Sequence, residues 1–269
     1  MSSPATLEPA IAGSHTVFLV TNYWDAKSRS AETEVAQGRA VAEECKAAGV
    51  AHLVFSSLIS PAELCKGRTD KVPHIPHFES KAAVEEYIRS LGVPATFVNL
   101  GWYMENFFMV VTKDEEGGLV WTLPINGDTS QFPLIDAGKD TGAFFSLRPS
   151  ALHPTHFRQK TRRKANLTEG NFVRAALKQS PPSGKRILVA TEYATPNRIM
   201  ADLAEITGKT AVFESSPPEV ALEEMRGNYE LLENPGYFGG MDLKEGVALL
   251  DEKPGTWREF VKKNKDKWA

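Results

Sequence analysis

Thr16-Val-Phe-Leu-Val20 stops at Thr21-Asn22, Ala51-His-Leu-Val-Phe55 stops at Ser56-Ser57, and Ala95-Thr-Phe-Val-Asn-Leu100 stops at Gly101. The first is a continuous apolar run, which suits a strand buried on both faces of a parallel sheet. After it, Ser30 offers a helix N-cap with Glu32 and Glu34 in the first turn. The helix that follows carries a stripe of Val35, Gly38, Ala42, Cys45 and Gly49, residues small enough to let it lie close to a sheet. Gly49 is its natural stop. After the second run, an irregular stretch over 58–78 holds three prolines. A helix from about Ser80 to Leu91 then turns Val84, Ile88 and Leu91 inward and ends at Gly92. Strand, helix, strand, helix, strand with short links predicts a doubly wound α/β fold.

The character changes after about residue 110. Leu119–Leu123 and Gln131–Ile135 read as short strands around the turn Asn126-Gly127-Asp128. Arg186–Ala190 and Ala211–Glu214 read as further strands. Thr195-Pro196 is an N-cap followed by proline at the first helical position, opening a helix to Thr207 before Gly208. Ser216-Pro-Pro-Glu219 and Thr256-Trp-Arg-Glu259 read as capping boxes. This half is mixed α+β, and the sequence holds no internal repeat.

The 269 residues are 42% hydrophobic, 24% charged and 9% aromatic, enough apolar material for a real core. With 31 Lys+Arg against 34 Asp+Glu the net charge is -3, which excludes a global basic footprint for nucleic acid. Two cysteines cannot build a disulfide scaffold or a four-thiolate zinc site, and the six histidines show no metal-ligand spacing. Cys45 falls on the packed stripe. Cys65 sits in a polar loop beside Lys66 and Arg68, where an unremarkable exposed thiol is expected and a reactive thiol of lowered pKa is the alternative. No apolar run approaches the roughly 20 residues of a membrane span, and the N-terminus has no basic region of a signal peptide. A cytosolic or nuclear chain without membrane contact is expected.

Two features break the pattern. A sheet that binds a dinucleotide feeds its first strand into a glycine-rich turn, and nothing here matches G-x-G-x-x-G or G-x-x-G-x-x-G after a strand. The expectation is that one or two βαβ units are absent before residue 1, or that the start is assigned too late; a short fold is the alternative. Residues 143–170 form the second. They hold six Lys/Arg and one acidic residue, so they carry +5 and leave -8 to the remainder. Their apolar residues have neither period 2 nor period 3.6. Without them, Asp140-Thr141-Gly142 would join Asn171-Phe-Val-Arg-Ala-Ala-Leu-Lys178 as a capped helix. Codons for Ala165-Asn166 and Thr168-Glu169 can spell an intron branch point and acceptor, so a translated intron is expected; an inert loop and a basic patch are the rivals.

Val20-Thr-Asn-Tyr-Trp-Asp25, His77-Phe-Glu-Ser-Lys81, Gly101-Trp-Tyr-Met-Glu-Asn-Phe107 and Ile135-Asp-Ala-Gly-Lys-Asp-Thr-Gly142 resemble the NmrA-like family of atypical short-chain dehydrogenases. The similarity covers most of 8–142 and 171–262. It implies a Rossmann-like domain over 1–110, partial here, that binds NADP or NAD. A smaller substrate or partner domain over 111–269 would include a disordered insertion at 143–170. The family includes redox-sensing regulators that bind dinucleotides and transcription factors, and also reductases of small carbonyls or enones.

Carried over by position, the resemblance implies cofactor contacts from Thr21, Asn22 and Tyr23, from Ser56 and Ser57, and from Gly101, Tyr103 and Asn106, all near strand ends facing the crevice. Lys81 matches the family's lysine that reaches the cofactor ribose, and it is a catalytic candidate with His77. The Tyr-x-x-x-Lys pair of true short-chain dehydrogenases reads His77-x-x-x-Lys81 here. A histidine can donate a proton near neutrality in principle. Lys81, placed in the first turn of its helix where the dipole opposes a cation, needs a partner: Glu85 at i+4, or a cofactor ribose or phosphate. Trp24, Trp102, Tyr103, Phe107 and Phe108 flank the same crevice, as packing or as pocket lining.

Overall fold

The computed structural model describes residues 4–25, 29–140, 171–179, 182, 184–220 and 223–268. In the first part, β1 (Thr16–Leu19), α1 (Ala31–Ala47), β2 (His52–Ser57), the short α2 (Pro61–Cys65), α3 (Pro76–Leu91) and β3 (Ala95–Leu100) follow in order. Then come β4 (Trp102–Tyr103), β5 (Thr112–Lys113), β6 (Leu119–Leu123) and β7 (Phe132–Ile135). After the expected insertion at 143–170, which lies outside the described residues, come α4 (Asn171–Lys178), β8 (Arg186–Val189) and β9 (Glu192–Ala194). The chain continues with α5 (Pro196–Thr207), β10 (Ala211–Ser215), α6 (Glu223–Glu233), α7 (Lys244–Ala248) and α8 (Trp257–Lys263).

The main sheet has the order β1-β2-β3-β8, with every pair parallel. A strand from well beyond residue 110 thus extends the three-strand set. All six residues of β2 are buried, and they alternate between two cores. Leu53 and Phe55 meet Val41, Ala42 and Cys45 of α1 and Val84 and Ile88 of α3. Val54 and Val98 meet Phe172 and Ala176 of α4 on the opposite face. Helices on both faces are what a parallel sheet requires. β1 departs from the expected burial: among the described residues it is an edge, and Thr16, Val17 and Phe18 are only half-buried.

Local chemistry sets the helix ends. Ser30 accepts from the Thr33 N–H at 3.0 Å, and Gly92 takes φ +69 after α3. The stripe on α1 meets a helix more closely than the sheet, because a Cβ on Gly38 would lie 2.5 Å from Val84 Cγ2. α3 begins at Pro76 rather than Ser80, since proline suits the first helical position and Glu79 reaches back to the Ile75 N–H at 3.1 Å. Thr195 caps α5 and a full capping box opens α8 at Thr256. The box expected at Ser216 is replaced by a 3-10 turn over Pro218–Val220, with α6 starting at Glu223.

Two small sheets, β10-β6-β5 and β4-β7-β9, enclose an aromatic core beside the main sheet. Trp121, Phe107, Phe132 and Trp257 are fully buried there, with Phe108 packed against them. Cys65 is wholly buried at the end of α2, and burial raises its thiol pKa, which corrects the expected exposed thiol. Among the described residues no helix is long and apolar enough to cross a membrane.

Candidate functional site

The carboxyl ends of β1, β2 and β3 open into one crevice of ≈ 500 Å³. Thr21, Asn22 and Tyr23 leave β1 along one wall, Ser56 and Ser57 end β2 at the floor, and Gly101, Tyr103 and Asn106 follow β3 on the other wall. His77 and Lys81 enter from the start of α3. All ten residues selected from the sequence therefore meet in one place. Trp24 and Trp102 line it too, whereas Phe107 and Phe108 turn into the aromatic core. Sequence reasoning missed the far side: Met225 and Asn228 of α6, and Tyr237, close over the strand ends. No local motif marks them.

Lys81 is in the second turn of α3 and its partner is not Glu85. Its Nζ lies 3.1 Å from Glu34 Oε1, 2.9 Å from the Thr21 carbonyl oxygen and 3.0 Å from Thr21 Oγ1. Three acceptors account for its three hydrogens. Glu34 comes from α1, is 1% exposed in its side chain, and also accepts from Thr21 Oγ1 at 2.7 Å and from Ser80 Oγ. Burial pulls the Lys81 pKa below the ordinary lysine value, and the Glu34 carboxylate opposes this.

Glu85 serves a second network. One oxygen accepts from Ser57 Oγ at 2.6 Å. The other accepts from Arg89 Nε at 3.0 Å, Arg89 Nη2 at 2.8 Å and Arg186 Nε at 2.7 Å. Two crevice hydroxyls, Thr21 and Ser57, are thus each backed by a buried glutamate.

His77 packs 5.7 Å from Tyr23 and 5.1 Å from Trp24, ring centre to ring centre. Burial first, and Lys81 second, push its pKa down to about 4 against the opposing pull of Glu34. At neutral pH it is an uncharged imidazole with no proton to spare as an acid. Two crevice phenols, Tyr237 and Tyr103, are shifted upward. Tyr237 is raised by burial, and Tyr103 by lost solvent and then by Glu105. Asn22 spends its carbonyl on the Trp24 N–H at 3.1 Å. Gly101 has a packing reason for its identity, since a Cβ there would lie 2.2 Å from the Pro133 carbonyl oxygen.

A parallel sheet covered on both faces, with a crevice beyond its carboxyl ends, defines a Rossmann-like α/β protein. The chain belongs to the NmrA-like family, which it matches over residues 1–261. It is 26% identical to the nitrogen metabolite repression protein nmr of Neurospora crassa over 96% of this chain and 50% of that one. It is 25% identical to the NmrA-like family domain-containing oxidoreductase lnaB of Aspergillus flavus over 88% of this chain and 66% of that one. The chain therefore spans half to two-thirds of the length of these two relatives. In structure it resembles NmrA, a negative transcriptional regulator. The complex of that protein with NADP superposes with a TM-score of 0.70 and its complex with NAD with 0.71, each at 20% identity over 96% of this chain and 76% of that one.

Proposed function

We propose that this chain is an NAD(P)-binding, redox-sensing regulatory protein. The observation that carries the reading is the convergence of ten strand-end and α3 residues on one crevice, where burial lowers the pKa of His77 to about 4. It draws support from relatives on both counts: NmrA has been crystallised with NADP and with NAD, and the Neurospora relative is named for repression.

The residues present suit the nicotinamide and its ribose better than the pyrophosphate. Ser57 and the Thr21 backbone offer acceptors to ribose hydroxyls or a carboxamide, Lys81 reaches a ligand by releasing Thr21 Oγ1, and Tyr23 and His77 supply flat faces. The start of α1 does not suit a phosphate, because Ser30 already caps Thr33 and Glu32 stands in the first turn. When bound, the nicotinamide supplies a ring whose charge differs between its two redox states. The neutral His77 and the Lys81–Glu34 pair would feel that difference.

The smaller part, 111–269, closes over the crevice through α6, and its position governs a surface for a transcription factor or another regulatory protein in the cytoplasm or nucleus. A ligand shifts such an equilibrium only by binding the two states unequally. Calorimetry with oxidised and reduced cofactor is the test; equal affinities contradict the reading.

A second reading, an NAD(P)H-dependent reductase of a small carbonyl or enone, draws on the apolar rim. Val20, Trp24 and Met109 line the crevice and are 47%, 46% and 75% exposed. Steady cofactor oxidation with such a substrate, lost in Lys81→Ala, favours it.

A further inference from the structure

The hydrogen-bonding polarity of the crevice floor is set from behind the sheet. Ser57 ends β2, is buried and lines the crevice. Its hydroxyl has one hydrogen and two lone pairs. That hydrogen goes to Glu85 Oε2 at 2.6 Å, and a carboxylate can only accept. The arrangement is not free to reverse. Glu85 is 1% exposed in its side chain, and its other oxygen is held by three N–H groups of Arg89 and Arg186 at 2.7–3.0 Å. What Ser57 keeps for a group in the crevice it lines is therefore its lone pairs, not its hydrogen. Thr21 repeats the pattern on the neighbouring strand, with its hydrogen given to Glu34 at 2.7 Å, but its oxygen is already engaged by Lys81.

We propose that Ser57 is a specificity-determining acceptor, and that the ligand group docking against it carries an N–H or O–H, a primary amide above all. A ketone, which only accepts, would bring its lone pairs against those of Ser57. This deepens the proposed function, on whose reading of the crevice as a ligand site it rests. It also counts against the reductase reading, because Ser57 cannot polarise a carbonyl while Glu85 holds its hydrogen.

Glu85→Gln inverts the polarity with little change in shape. The two arginines retain the amide oxygen, so the amide nitrogen takes the place of Oε2 and donates to Ser57. The Ser57 hydrogen is then released from residue 85, free to meet a group in the crevice or the Leu58 carbonyl oxygen at 3.4 Å. The probes are benzamide and acetophenone, which differ by an NH2 in place of a CH3. Each is titrated into the full chain, with the backbone amide resonances of Ser56 and Ser57 as the readout. The wild-type protein is expected to bind benzamide about tenfold more tightly. Glu85→Gln abolishes or reverses the preference, and Ser57→Ala abolishes it without reversing it. Equal binding of the two probes to the wild type, absence of benzamide binding, or a preference that survives Ser57→Ala overturns the proposal. Ser57→Ala leaves both arginine contacts intact, so the test stands if Glu85→Gln does not fold. Neither probe carries a nucleotide. A benzamide preference without dinucleotide binding defeats only the dinucleotide reading, and dinucleotide binding without the preference defeats only this one.

Discussion

Replacing Glu34 by alanine leaves the Lys81 ammonium, 13% exposed in its side chain, facing Thr21 alone. Removing one partner of a buried pair costs about 3–5 kcal/mol, because the other charge stays desolvated. Urea unfolding of Glu34→Ala should show a loss of that order. Glu34→Ala combined with Lys81→Met should cost less than the sum of the two single changes. His77 gives a prediction in pH. Its folded value of about 4 lies below the unfolded 6.5, so between them the unfolded chain holds more protons. Stability therefore falls as pH drops from 6.5 toward 4, by up to about 3 kcal/mol from this group. His77→Gln should flatten that part of a stability-against-pH curve relative to the wild type. At this scale the strand-end residues were legible, because ligands of open α/β sheets gather where strands stop. Glu34 was not. A charged residue in a first turn reads as a solvated dipole partner, and only the packing of α1 on α3 reveals the lysine waiting for it.

At the scale of elements, close approach between helices is the controlling contact. A Cβ on Gly38 meets both Val84 methyl groups at 2.5–2.6 Å, so α1 and α3 must part for anything larger. Gly38→Ala should cost about 1–3 kcal/mol in thermal or denaturant unfolding, whereas alanine at an open helix position would help. It should also loosen the Lys81–Glu34 pair, which joins the same two helices. Gly246 is a second such point. A Cβ there would lie 2.2 Å from the Leu188 carbonyl oxygen, where α7 covers the outer edge of β8. Caps were readable in the sequence: Ser30, Thr195 and Thr256 all accept the N–H three residues on. The early start of α3 also had a signal, proline at Pro76, masked by two other prolines in a stretch that read as irregular. Strand partners were not readable. Arg186–Ile187–Leu188–Val189 is recognisable as a strand, but nothing in its own residues says that it pairs with β3 across a long separation.

At the scale of the molecule, early and late parts of the chain line one crevice. The sheet supplies the floor, and α6 with Tyr237 supplies the opposite wall from the later part of the chain. Tyr237 ties that wall to the strand ends by donating to the Leu100 carbonyl oxygen at 3.3 Å. A ligand that binds both arrangements alike moves nothing, however tightly it binds. The central claim is that the redox state of a nicotinamide cofactor is what this crevice distinguishes. Titration calorimetry of the full chain with NAD+, NADH, NADP+ and NADPH tests it most directly. The account predicts saturable binding of at least one pair, with oxidised and reduced forms differing by about fivefold or more. Identical affinities for both members of the bound pair, or no binding of any of the four, would contradict it.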